Sequence, residues 1–231
     1  MHTISISPEV LARLAQRGRA FGSLDPIDPR RTAHVVVDLQ NGFMTEGAPV
    51  EVPAARDIVP NVNRISAALR AAGGTNVFLR MNLGSPAAET WRSFWDHTPD
   101  SERASMVAAF SEGSAHFALW EGLEVGDGDL VVDKVRFGAF VPGASALHDQ
   151  LTSRNIDTLV ITGTLTNVCC ESTARDAMQM DYRVVFVSDA TATVSDQAHN
   201  ATLENMLSYF ADVVPTTQVV QVLTASAAVT P

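Results

Sequence analysis

Short apolar runs rich in β-branched residues alternate with longer stretches of helical periodicity along the chain. The runs are His34–Val37, Asn76–Met81, Leu130–Asp133, Thr158–Thr162 and Val184–Ser188, with a weaker one at Val219–Leu223. They are nearly all apolar and do not alternate with polar residues. That is the pattern of strands covered on both faces, and hence of a parallel sheet. Helical spacing runs through Ile58–Ala72, which stops at Gly73-Gly74, and through Ala144–Ser153, Val168–Met180 and Ser195–Phe210. Strand–helix alternation of this kind predicts an α/β fold, a three-layer α/β/α sandwich on a doubly wound, mainly parallel six-stranded sheet. Ligands of such sheets sit outside the carboxyl ends of the strands, near the point where the strand order reverses.

Two regions fall outside the repeat. Residues 1–30 read as a short helix (Pro8–Arg17) and a proline-punctuated arm that packs on the body or on a partner subunit. Residues 84–127 form a long insert that holds all three tryptophans, Trp91, Trp95 and Trp120, with Phe94, His97, Phe110, His116 and Phe117. Inserts after a strand end supply lids and pocket walls, or simply anchor their loop to the body. No linker divides the 231 residues, so one domain is expected.

Composition narrows the function classes. With 46% hydrophobic and 18% charged residues the chain can bury a sizeable core, and its net charge of −10 disfavours a nucleic-acid partner. No apolar stretch has the ~20 residues of a membrane span. The opening MHTISISPEVLARLAQRGRAFG lacks the apolar core of a secretory leader. The only cysteines, Cys169 and Cys170, are adjacent and badly placed to staple distant segments. A reducing, cytoplasmic setting is therefore expected. Of the 16 basic residues 15 are Arg, and Lys134 is the single lysine. Either mutational bias left one survivor, or that position needs a compact ammonium that Arg cannot replace.

Three residues at strand ends carry the candidate chemistry. Asp38 follows HVVV, Lys134 follows LVVD, and Cys169 lies in the turn after LVITGTLTNV that opens a helix. In a parallel sheet all three project to one rim. An ammonium and a helix N-terminus would lower the thiol pKa, and a carboxylate beside both could take the thiol proton. Backbone N–H groups in the turn could hold an oxyanion. Each residue alone has a plain structural role: a turn cap, a surface ion pair, a small buried hydrophobe. A phosphatase built on Asp38 is excluded, because the second carboxylate needed two residues on is Gln40.

VVVDLQNGF, DKVRFGAF and ITGTLTNVCCESTARDA resemble, in order and spacing, the signature segments of the isochorismatase-like cysteine hydrolases. That superfamily includes N-carbamoylsarcosine amidase, ureidoacrylate amidohydrolase and nicotinamidase, and the likeness is strongest to the ureidoacrylate type. The resemblance implies a triad of Asp38, Lys134 and Cys169, a cis peptide at Thr164-Leu165, and an oxyanion hole from the amides of Leu165 and Cys169. It implies an amidohydrolase that cleaves a small amide or ureido compound through a thioester, releases ammonia, and works as a homodimer or homotetramer. An isochorismatase-type vinyl ether hydrolase and a catalytically silent binding member are the alternatives. The vinyl ether hydrolases can dispense with the cysteine. Where nicotinamidases carry an Asp-x-His metal motif this chain reads RMNLGSP, so neither a metal nor another cofactor is expected. Many members have Ser where this chain has Gly138, which suggests a changed pocket shape. Gln40, Phe43, Asn82, Trp91, Trp95, Arg136 and Phe140 are the candidate substrate contacts.

Overall fold

The computed structural model, which describes residues 1–229, has six strands, five of them at the expected apolar runs. They are β1 (Thr32–Val37), β2 (Thr75–Met81), β3 (Leu130–Lys134), β4 (Thr158–Thr164), β5 (Arg183–Ala192) and β6 (Asp212–Val214). All pair in parallel, in the order β3-β2-β1-β4-β5-β6. Every residue of β1 and β4 is buried, as strands covered on both faces must be.

The chain moves one way from β1 to β3 and the other way from β4 to β6, so the order reverses between β1 and β4. Right-handed crossovers then place helix Ala55–Ala71, between β1 and β2, and helix Glu171–Gln179, between β4 and β5, on opposite faces. Helix Thr216–Val229 packs against Ala55–Ala71, and helix Asp196–Asn205 lies on the side of Glu171–Gln179. At the reversal β1 and β4 approach closely. Gly163 pairs with Val37, and a Cβ on it would stand 2.1 Å from the Val37 carbonyl oxygen. With φ of +111° as well, position 163 accepts only glycine.

One strand expectation is corrected. Val219–Leu223 is helical, within Thr216–Val229, and the sixth strand is the shorter Asp212–Val214. Pro215 separates the two, and the Asp189 carboxylate accepts hydrogen bonds from both the amide and the hydroxyl of Thr216 at 2.7 Å. Val219 and Leu223, four apart, are fully buried while Gln221 is exposed, which is a helical stripe misread as a strand.

The N-terminal arm lies along helix Asp196–Asn205. The Ser5 and Ser7 amides donate to Asn200 and Glu204, His2 bonds Asp196 at 2.8 Å, and its ring stacks on His199. The 84–127 insert folds into three short helices, Pro86–Glu89, Arg92–Trp95 and Asp100–Ala109, placed over the carboxyl end of the sheet through the Gln40–Leu119 bridge. Among the described residues no helix is long and apolar enough to cross a membrane.

Candidate active site

Asp38 is the first residue past β1. Its φ of +52° is a left-handed conformation that Asp tolerates better than most residues. Its amide donates to Leu79 at 3.1 Å, which fixes the turn against β2. Lys134 closes β3 in register with Met81. It reaches back across the strand ends until Nζ lies 2.8 Å from Asp38 Oδ2, and both side chains are fully buried. Nζ also donates to the Arg136 carbonyl at 3.1 Å. Cys169 sits in a π-helical turn, Thr166–Cys170, that follows β4 and runs into helix Glu171–Gln179. The Thr164–Leu165 peptide before this turn is cis. Asp38 and Lys134 both act on the Cys169 thiol, the carboxylate raising its pKa and the ammonium lowering it.

Burial dominates the electrostatics. It raises the Asp38 pKa, partly offset by the Lys134 ammonium, so this carboxylate is a stronger base than an exposed one. No donor is well aligned on either of its oxygens. Burial pulls Lys134 down, but the neighbouring Asp38 and Cys169 outweigh it and the net direction is up, so the ammonium is retained. The Cys169 thiol is pushed up by burial more than Lys134 pulls it down. This differs from the expectation of a lowered thiol pKa: burial outweighs the ammonium, and the net direction is up. Cys170 differs in place rather than in acidity. It is fully buried, with Sγ 3.8 Å from the Thr162 carbonyl, and faces into the sheet.

A cavity of about 340 Å³ opens in front of Cys169. Leu165 and Val168 of the turn line one part, and Phe43, Met81 and Leu83 come from the ends of β1 and β2. The insert contributes Trp91, Phe94, Met106 and Phe110, and Phe137 follows β3. Trp91 stacks on Phe94 with centroids 4.4 Å apart and meets the edge of Phe137 at 4.6 Å. Phe43 packs on Phe110 at 4.8 Å.

Of the seven expected substrate contacts, Phe43 and Trp91 line this cavity and five do not. Gln40 spends its amide as a brace, donating to the Met81 and Phe117 carbonyls and accepting from the Met81 amide. Asn82 donates to Asp133, and Trp95 donates to the Ala88 carbonyl and carries Arg103 on its ring. Arg136 lies over Trp91 but gives its guanidinium to Ala87, Val135 and Thr90. Phe140 packs on Tyr182 and His148. The missed residues had a signal. Met81 and Leu83 are two apart at the end of β2 with Asn82 between them turned to Asp133, and Phe94 lies three residues from the expected Trp91.

The Isochorismatase domain family matches residues 32–218, which include all three candidate residues. The chain belongs to the isochorismatase family. Among relatives of this isochorismatase-family chain, the ureidoacrylate amidohydrolase RutB of Pseudomonas savastanoi is 33% identical over 196 residues, 79% of each chain. An isochorismatase family protein of Bacillus subtilis, YwoC, is 34% identical over 177 residues, 77% of this chain and 86% of its own. The crystal structure of a cysteine hydrolase from Pseudomonas syringae superposes with a TM-score of 0.78 at 27% identity, covering 88% of this chain and 97% of the other.

Two departures from the family pattern have physical counterparts. A Cβ on Gly138 would stand 2.4 Å from Asp176 Oδ2 and 3.5 Å from Ser172 Cβ, both on helix Glu171–Gln179. Position 138 thus faces that helix and not the cavity. In RMNLGSP, Arg80 and Asn82 both bond Asp133. Among the described residues no three His, Cys, Asp or Glu side chains gather as metal ligands.

Proposed function

We propose that this isochorismatase-family hydrolase is a cysteine-dependent amidohydrolase that cleaves the C–N bond of a small amide or ureido compound. The observation that carries this reading is the division of labour at the strand ends: Cys169 faces the cavity, and a buried Asp38–Lys134 pair stands behind it. The RutB relative, an amidohydrolase by name, supports it.

In the proposed reaction Asp38 takes the Cys169 proton and Sγ attacks the substrate carbonyl carbon. Burial raises the basicity of the carboxylate that takes this proton. The Lys134 ammonium stabilises the developing thiolate, and the Leu165 and Cys169 amides hold the oxyanion. As the intermediate collapses, Asp38 returns the proton to the leaving nitrogen, the C–N bond breaks and ammonia departs. Water then gives a proton to Asp38 while its oxygen attacks the thioester; the C–S bond breaks and Asp38 restores the thiol. A hydrolase of vinyl ethers would not need the thiol that this cavity presents. The test is an ammonia-release screen over simple amides and ureido acids with the wild type and Cys169→Ser. Equal release by both proteins would end the cysteine mechanism.

A further inference from the structure

The cavity in front of Cys169 is a ring-lined apolar chamber, and among the described residues no basic side chain lines it. Among the described residues Glu51 is the only charged residue on its wall. Lys134, Arg136 and Arg56 each have partners of their own. Lys134 is paired with Asp38 behind the sulfur. Arg136 turns outward to backbone carbonyls and Thr90, and Arg56 holds Glu51 and the Met44 carbonyl. The Gly47 amide and Arg56 hold the Glu51 carboxyl below the usual range, so it is ionised near neutral pH. A substrate carboxylate entering this chamber would lose water and find no partner on the wall, because the one charge there, Glu51, is already paired with Arg56.

What the wall offers is aromatic surface. Five rings, those of Phe43, Trp91, Phe94, Phe110 and Phe137, line it in two packed clusters. Apart from Glu51, which Arg56 holds, the reactive polar group on the wall is Cys169, so a ligand with one polar end and an apolar body is oriented by it. Its carboxamide meets the sulfur, and its body lies among the rings.

We infer that the cavity takes an uncharged primary amide with an aromatic or arylalkyl body, and excludes ureido acids and other anionic amides. This rests on the amidohydrolase reading for turnover, but the binding claim stands on the walls alone. The relatives that act on ureidoacrylate, a carboxylate by its name, would then differ from this chain in the chamber and not in the strand-end trio.

The probes are phenylacetamide and 3-ureidopropionate, similar in length and differing in charge. Ammonia release by the wild type should give a kcat/KM at least about 100-fold higher for phenylacetamide, since a buried unpaired carboxylate costs several tenfold factors. Calorimetry on Cys169→Ser should show the same order of affinity without turnover. Trp91→Ala should raise KM for phenylacetamide by about tenfold and change acetamide hydrolysis less, because only the larger amide reaches the ring. If 3-ureidopropionate is preferred in both assays, the inferred ligand class is wrong while the amidohydrolase reading survives. If neither compound releases ammonia but Cys169→Ser still selects phenylacetamide, the chamber assignment stands and the amidohydrolase reading falls. Failure of Cys169→Ser to bind phenylacetamide more tightly than 3-ureidopropionate overturns the inference.

Discussion

The Lys134 ammonium and the Asp38 carboxylate lie 2.8 Å apart with neither side chain open to solvent. A pair in that position contributes little to stability beyond cancelling its own desolvation, but removing one member leaves the other charge stranded. Asp38→Asn and Lys134→Ala should each lower unfolding free energy by about 3 kcal/mol or more. The double variant Asp38→Leu/Lys134→Met should recover most of that stability with no activity. Chemical denaturation of the three variants checks this; a double variant less stable than both singles would show that the pair is a net stabiliser.

Cys169→Ser should abolish turnover and leave the fold intact, since no base here is strong enough to ionise a serine hydroxyl. Cys170→Ser should keep most activity, because that sulfur faces the Thr162 carbonyl and the sheet. Turnover by both variants and circular dichroism decide the matter, and the reverse pattern would exchange the two assignments.

The raised pKa values give a pH signature. As the proposed base Asp38 must be ionised, and burial raises its pKa, so activity should fall as pH drops through that raised value. The acid limb of kcat/KM should therefore lie above the ordinary carboxylate range of about 4. The protonated resting thiol gives a second sign. Iodoacetamide should label Cys169 more slowly than a free cysteine near about pH 7, because burial holds the proton on sulfur. Rapid labelling would restore the thiolate that the sequence alone suggested.

How much of this was legible in the sequence depends on the range of the contacts involved. Runs of β-branched residues gave five strands, and the three strand-end residues followed from the parallel sheet. The sixth strand failed because Val219 and Leu223 can serve a strand or a helix, and only Pro215 and the Asp189 cap decide between them. The thiol's state failed because it depends on burial, which no local spacing reports. Gln40, Asn82 and Phe140 were expected in the pocket, yet Gln40 braces the Met81 and Phe117 carbonyls, Asn82 bonds Asp133 and Phe140 packs on Tyr182, long-range contacts that local sequence does not report. The cavity walls from Met106 and Phe110 lie in a 44-residue insert (127 − 84 + 1) with no strand register to place them.

Gly163→Ala tests the reversal point. Its Cβ would collide with the Val37 carbonyl in a backbone conformation that alanine avoids. Destabilisation of at least about 3 kcal/mol is expected. A thermal midpoint within a few degrees of wild type would mean that β1 and β4 separate easily.

Assembly into a homodimer or homotetramer is also proposed. Val131 on the edge strand β3, Val194 at the cavity mouth and Tyr209 all stand exposed. Light scattering should give a mass well above the 24.7 kDa of one chain, and a monomer at working concentration would refute it.

Lys134→Arg separates charge from shape. The chain uses Arg at 15 of its 16 basic positions and keeps lysine at the one that is fully buried against a carboxylate and a thiol. If positive charge were all that mattered, Arg would serve. The guanidinium is planar, forked and broader, and cannot act as a point donor between Asp38 and Cys169 in a closed strand end. It would have to displace the Arg136 carbonyl or move the carboxylate. Displacement of reacting groups by about 1 Å costs on the order of 100-fold in rate. The variant should fold but lose at least that factor in kcat/KM, close to the loss in Lys134→Ala. Arg136→Lys is the control: its contacts are Trp91, Thr90 and backbone carbonyls outside the trio, so a loss of about tenfold at most is expected, mainly in KM. Near wild-type turnover in Lys134→Arg would reduce the single lysine to an accident of composition and remove it from the mechanism.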